Sequence, residues 1–214
     1  MSAKEFLMEN KNIVLESGTK KQKFDTGKVV GIGLLTAIVI VLQMISLGMR
    51  FGMFSITFVL IPIVVGAALY GWKAGAWLGF VFGVVVVLTD AGAFLAINVI
   101  GTIIVCVLKG ALAGTAAGLM YSLLAKKNEI IAVIAAAVIT PIVNTGIFLL
   151  GCAVFFMDTI TLWAEGAGFD NVGTYMIIGL VGINFVIEFA INLVLNPVIV
   201  RIIHIGRSKK LKNA

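Results

Sequence analysis

Charge is the first thing this sequence lacks. Only 12% of its 214 residues are Asp, Glu, Lys or Arg, and 61% are hydrophobic. A soluble domain carries roughly 25% charged and 45–50% apolar residues, so an ordinary water-soluble fold is excluded. The net charge of +6 does not point to nucleic acid, because the basic residues lie between and beyond the apolar runs. Cysteine is nearly absent: Cys106 and Cys152 both fall inside apolar segments and read as reduced packing residues, with no disulfide frame. The single histidine, His204, has no ligand-spaced partner and reads as an interfacial residue, so no metal site is signalled.

Motifs for chemistry are missing too. There is no GxxxxGK[ST] phosphate loop, so ATP is not hydrolysed by that route. HExxH and GxSxG do not occur, no arginine array suggests voltage sensing, and no stretch resembles a selectivity filter. The expectation is a protein that is not an enzyme and carries no cofactor.

What is present is a series of apolar runs. Residues 1–24 are polar and lysine-rich with no following h-region, which predicts a cytoplasmic tail and not a cleaved signal. Six candidate spans follow, at about 28–47, 54–70, 74–89, 97–124, 130–156 and 174–203, and then a basic tail. The predicted organisation is a tail (1–24), a six-helix transmembrane domain (25–205) and a second cytoplasmic tail (206–214). With both termini inside, fourteen of sixteen basic residues fall on the inner side, leaving Arg50 outside and Lys109 buried. The positive-inside rule therefore predicts cytoplasmic termini. Gly71, Gly75, Gly79 and Gly83 recur every four residues, as do Gly110, Gly114 and Gly118, and each ridge predicts a close helix–helix seam. Pro62, Pro141 and Pro197 all lie within predicted spans. Each deletes a backbone donor; Pro62 and Pro141 predict kinks where neighbours can satisfy the freed carbonyl, while Pro197, near a helix end, reads as an ordinary membrane-helix proline.

The candidate binding residues are the polar groups in mid-span. Asn98, Thr102, Cys106 and Lys109 share one face of the fourth span. An ammonium in hydrocarbon costs at least about 2.5–3.5 kcal/mol, so Lys109 must face protein or water. Asn184, Glu188 and Asn192 repeat every four residues on the sixth span, and Asn144 lies at similar depth on the fifth. Lys109, Asn144, Asn184, Glu188, Asn98 and Thr102 are therefore the predicted substrate-binding set. The alternative is an ion pair between Lys109 and Glu188 that only fixes packing. Gln43 and Thr57 are better read as local helix–helix hydrogen-bonding groups. Trp163 and Phe169, in the acidic stretch 157–173, either cap a ligand or anchor the chain at the interface.

The stretches GIGLLTAIVIVLQ, IPIVVGAALYGWKAGAWLGFVFG, KGALAGTAAGLMYSLLAKK, PIVNTGIF and INFVIEFAINLVLNPVIVRII resemble the substrate-binding S-component of energy-coupling factor (ECF) transporters, prokaryotic vitamin importers. The resemblance covers about residues 28–205. It implies a six-helix subunit of a prokaryotic plasma membrane that binds a vitamin or coenzyme precursor from outside. Delivery would run through a transmembrane coupling protein and two ATPase subunits. It implies a small-residue docking surface on the first helix, at Gly33 and Ala37 or at Gly27 and Gly31, with glycine in place of the first alanine. Pantothenate, folate, riboflavin and a pyrimidine precursor are the candidate ligands. A non-transport scaffold or sensor subunit and an autonomous secondary transporter are the rival readings, and no inverted repeat favours the latter.

Overall fold

A computed structural model describes residues 26–51, 54–55 and 58–212. The predicted tail at 1–24 and Thr57 lie outside the described residues. The chain divides into two units, 1–30 and 31–214, so the cut falls within the first helix. Of the first unit, residues 26–30 are described, and they are exposed.

The first helix, α1, is Thr26–Ser46. A two-residue antiparallel pair follows, β1 (Arg50–Phe51) with β2 (Phe54–Ser55). Then come α2 (Leu60–Tyr70), α3 (Trp72–Thr89), a short α4 (Gly92–Leu95), α5 (Val99–Leu124) and α6 (Glu129–Phe155). The last third holds α7 (Met157–Gly166), α8 (Val172–Thr174), a π-helical turn (Tyr175–Leu180), α9 (Gly182–Val194) and α10 (Asn196–Lys212). Among the described residues, α1, α3, α5 and α6 are each long and apolar enough to cross a membrane. The pair Val172–Leu180 and Gly182–Val194, bent by 45°, makes a fifth if counted as one span. Large apolar side chains point outward, Leu88 at 77%, Val194 at 75% and Val154 at 72% exposure, which suits hydrocarbon and not water.

The seam predicted from the glycines is the spine of the bundle. Gly75 on α3 meets Gly114 on α5, Gly79 meets Gly110, Gly83 meets the backbone at Cys106 and Val107, and Gly118 meets Trp72. The two predicted ridges thus pack against each other, backbone on backbone, as small residues permit. Gly71, with φ 90°, makes the tight turn between α2 and α3 that a side chain would strain.

Two segments differ from expectation. The second was predicted helical from residue 54, kinked at Pro62, but the helix begins at Leu60 and Pro62 sits in its first turn. There a missing N–H costs nothing, and the Phe58 carbonyl accepts from the Ile61 N–H at 3.2 Å. The sixth was predicted as one helix over 174–203 but is interrupted twice, at Val181 and at Leu195. Gly179 and Gly182 bracket the first interruption, next to the π-turn. Pro197, in the first turn of α10, accounts for the second, because it cannot donate to the preceding turn. Beyond it α10 runs without a break to Lys212, through residues expected to form a separate tail. Pro141, by contrast, is absorbed within an unbroken α6.

Three buried clusters fill unit 31–214. At the end where α2 and α5 finish, Val64, Ala67, Ala117, Tyr121, Ala132, Val133, Ile199 and Ile203 close the bundle. A second cluster, Val39, Leu60, Ile63, Leu78, Phe82, Val86 and Cys106, joins α1, α2, α3 and α5. The third, around Phe94, Phe148, Phe156, Ile160 and Tyr175, ties α4, α6, α7 and the π-turn together.

Candidate functional site

The second and third clusters part to leave a cavity. Phe82, Val86, Ala91 and Cys106 come to its lining from one side, and Phe94, Val105, Phe148, Phe156 and Val181 from the other. It is about half open to the outside and has about 80 Å³ of room for water-sized groups. At roughly 10–15 Å³ for one water, that is room for about five to eight waters or a compact small molecule.

Into this apolar shell the helices deliver polar groups. α1 brings Gln43, the C-terminal end of α3 brings Asp90, and α5 brings Thr102 and Lys109. α6 brings Asn144 and Thr145, and α9 brings Asn184 and Glu188. Of the six predicted binding residues, Lys109, Thr102, Asn144, Asn184 and Glu188 come together on this one lining. Asn98 does not. It caps α5, its Oδ1 accepting from the Gly101 N–H at 2.9 Å, and is spent on the helix N-terminus.

Lys109 is held by aromatic faces. Its Nζ lies 5.2 Å from the centroid of Phe148 and 5.9 Å from that of Phe82, a cation–π geometry that steadies a half-buried ammonium in an apolar bundle. Thr102 donates back to the Asn98 carbonyl at 2.7 Å, so its hydroxyl donor is already used. Asn144 and Asn184 are over 90% buried, and neither Oδ1 has a hydrogen-bond partner among the described residues. Leaving a buried acceptor unmatched costs about 1–3 kcal/mol each. Both belong to residues of the cavity lining, so the unmatched polar groups gather around this one site.

The sequence reading missed part of this lining. Gln43, read as a helix–helix hydrogen-bonding group, is 1% exposed and also lines the cavity. Asp90 looked like a loop residue. Yet Phe82 and Val86 are four apart on α3 and Asp90, its C-cap, follows at the same interval, a spacing that the helical period could have shown. The acidic stretch at 157–173 is largely α7, anchored by the fully buried Ile160 and Ala164. Trp163 does not line the cavity; it stands behind it, edge-on to Phe94 at 5.6 Å. Phe94 also meets Phe148 and Phe156 edge-on at 5.6 and 5.0 Å, so one aromatic stack walls the α7 end of the cavity. Phe169 packs on Tyr175 at 5.4 Å.

On α1, Gly31 is used internally, since a Cβ there would strike the Tyr70 ring. Gly33 has nothing within 4 Å, and it and Ala37, one turn on, are both exposed. Gly27 lies in the separate first unit, also exposed.

A cavity of this kind in an apolar helical bundle suits small-molecule capture, and the family comparison agrees. The model of the ECF transporter substrate-specific component matches residues 27–203. The chain belongs to this family. It is thus a multi-pass membrane protein and the substrate-specific subunit of an ECF importer, which binds its substrate and does not transform it. Comparison with curated protein sequences gave no match.

Proposed function

We propose that this S-component captures a vitamin or coenzyme precursor outside a prokaryotic cell and passes it to a transmembrane coupling protein driven by two ATPase subunits. The observation that carries the reading is the single cavity in which Lys109, Asn144, Asn184 and Glu188 meet. In this reading the chain crosses the plasma membrane six times with both termini cytoplasmic. The short helix α2 supplies one crossing that length alone does not assign, and the bent pair continued by α10 makes the sixth. That orientation puts the cavity in the outer half, near α7, and the cluster of Ala117, Tyr121, Ile199 and Ile203 on the cytoplasmic side, sealing it. The positive-inside pattern of basic residues supports it.

The coupling protein docks on α1 at Gly33 and Ala37. Support comes from the open surface at Gly33, where a partner backbone can approach, while Gly31 is already engaged with Tyr70. The test is co-purification from cells of the native organism. Tagged wild-type protein is expected to bring down an ATPase pair. Ala37→Trp should lose it while melting as wild type and keeping its bound small molecule. Recovery of the ATPases with Ala37→Trp removes α1 from the interface, and their absence from the wild-type sample overturns the reading.

A further inference from the structure

We propose that a groove between the α2–α3 turn and the end of α5 seats one anionic phospholipid of the inner leaflet. It shares no lining residue with the central cavity, and the choice of leaflet alone rests on the orientation read above.

The groove exists because its walls are short. Ala67 and Ala68 come from the last turns of α2, Gly71 makes the turn, and Gly118 and Ala125 face them from α5 and its cap. Gly71 cannot be enlarged without strain at its φ of 90°. What remains is about 330 Å³ of room, against about 80 Å³ in the central cavity, open along the surface. Tyr121 is buried, and its hydroxyl donates to Glu129 Oε1 at 3.1 Å. The Ser122 hydroxyl donates to the Leu119 carbonyl at 2.8 Å. Both hydroxyl donors of the lining are therefore spent locally, and the surface on offer is mainly apolar. Hydrocarbon fills such a groove more favourably than water does.

The charge at the rim selects the headgroup. Lys126 lines the groove, and no carboxylate does. Lys127, next in the turn, is exposed, as is Lys73 at the start of α3. The Lys73 ammonium lies 5.6 Å from the ring centroid of half-exposed Trp72, whose backbone packs on Gly118 of the groove wall. Lysine and tryptophan together are the residues expected where a bilayer meets water on its cytoplasmic side. Basic pockets between helices at that level take anionic headgroups.

The same helix gives the acyl chain a path. Leu119, Ser122 and Leu123 share one flank of α5, and Lys126 follows in the turn that closes it. Leu119 is 46% and Leu123 70% exposed. A phosphate at Lys126 thus sits at the end of an apolar strip that leads back along α5. A free phosphate would use the lysine and leave that strip bare, so the lipid is the better match.

Full-length protein in a mild detergent is titrated with dioleoyl phosphatidylglycerol, dioleoyl phosphatidylcholine or glycerol 3-phosphate, and adducts are read by native mass spectrometry. The expected result is one phosphatidylglycerol, bound roughly tenfold or more tighter than phosphatidylcholine, and no adduct with the chain-free phosphate. At about fivefold per lysine beside an anionic lipid, Lys126→Gln with Lys127→Gln should erase most of that preference. Ser122→Trp, at an exposed position of the lining, fills the groove and should lose the lipid. Equal binding of the two lipids by the wild type overturns the proposal, whether or not the variants fold. Glycerol 3-phosphate that displaces the lipid overturns it too, making this a site for a soluble anion. An unchanged adduct in Ser122→Trp places the lipid elsewhere, and if that variant also loses the ATPase pair, the groove belongs to a protein partner; either result refutes the assignment.

Discussion

Replacing Gly79 by Ala adds one methyl group at one of the tightest places in the bundle. A Cβ there would fall inside contact distance of the Gly110 carbonyl and lie 3.1 Å from the Ala111 nitrogen. All of these are backbone atoms of α5, so no rotamer can swing aside and the two helices must separate. Overpacking of this kind costs about 1–3 kcal/mol. For a chain of this size that corresponds to a drop in melting temperature of roughly 2–12 °C. The control is Gly33→Ala, where nothing lies within 4 Å and the better helix former should leave melting unchanged or slightly higher. Gly83→Ala should go further, because the residue beside it, Phe82, lines the cavity, so bound ligand should fall along with stability. Thermal unfolding of purified protein in one detergent, followed by loss of soluble monomer, measures all three. A Gly79→Ala protein that melts at or above the wild-type temperature refutes the seam.

Lys109→Met keeps the apolar stem and removes the charge. If the ammonium contacts ligand, affinity should fall roughly ten- to a hundredfold, as expected for about 1.5–3 kcal/mol from one charge-assisted hydrogen bond, with melting little changed. If it serves packing alone, melting falls and affinity holds, and comparison with Glu188→Gln and the double variant separates the two. Orientation is tested with single cysteines at Lys127 and Glu165, both exposed, in a protein whose two native thiols are buried. An impermeant thiol reagent on intact cells should label the second position and not the first; the reverse would place the cavity on the cytoplasmic side.

Much of this was legible in the sequence because it follows from a period. Glycines at every fourth residue can only make a ridge, and the ridges on α3 and α5 do meet. Polar side chains repeating every four residues in an apolar run must share a face, and five of the six predicted residues share one lining. What the period could not show is where a helix stops. Asn98 continues the polar face of α5 on paper, but as the first residue outside the helix it turns its side chain to the N-terminus. Pro62 looked like a kink within a helix and instead sits in a first turn, because a proline gives no sign of whether a turn precedes it. The aromatic lining was hidden for another reason. In so apolar a sequence, one more phenylalanine carries no contrast, and only the fold tells Phe94 from a lipid-facing ring.

The backbone contact between α3 and α5 also decides which wall of the cavity can yield. Cavity walls usually adapt by turning side chains in the layer behind them, but between these two helices there is no such layer, only glycine. Phe82 and Val86 on one helix and Thr102, Cys106 and Lys109 on the other therefore stand on an incompressible plate. The opposite wall, Val181, Asn184, Phe185 and Glu188, hangs from a chain interrupted at Val181 and again at Leu195. Whatever volume a ligand demands beyond the space already present must be taken from that side, so the sixth segment sets the stiffness with which the cavity measures its guest.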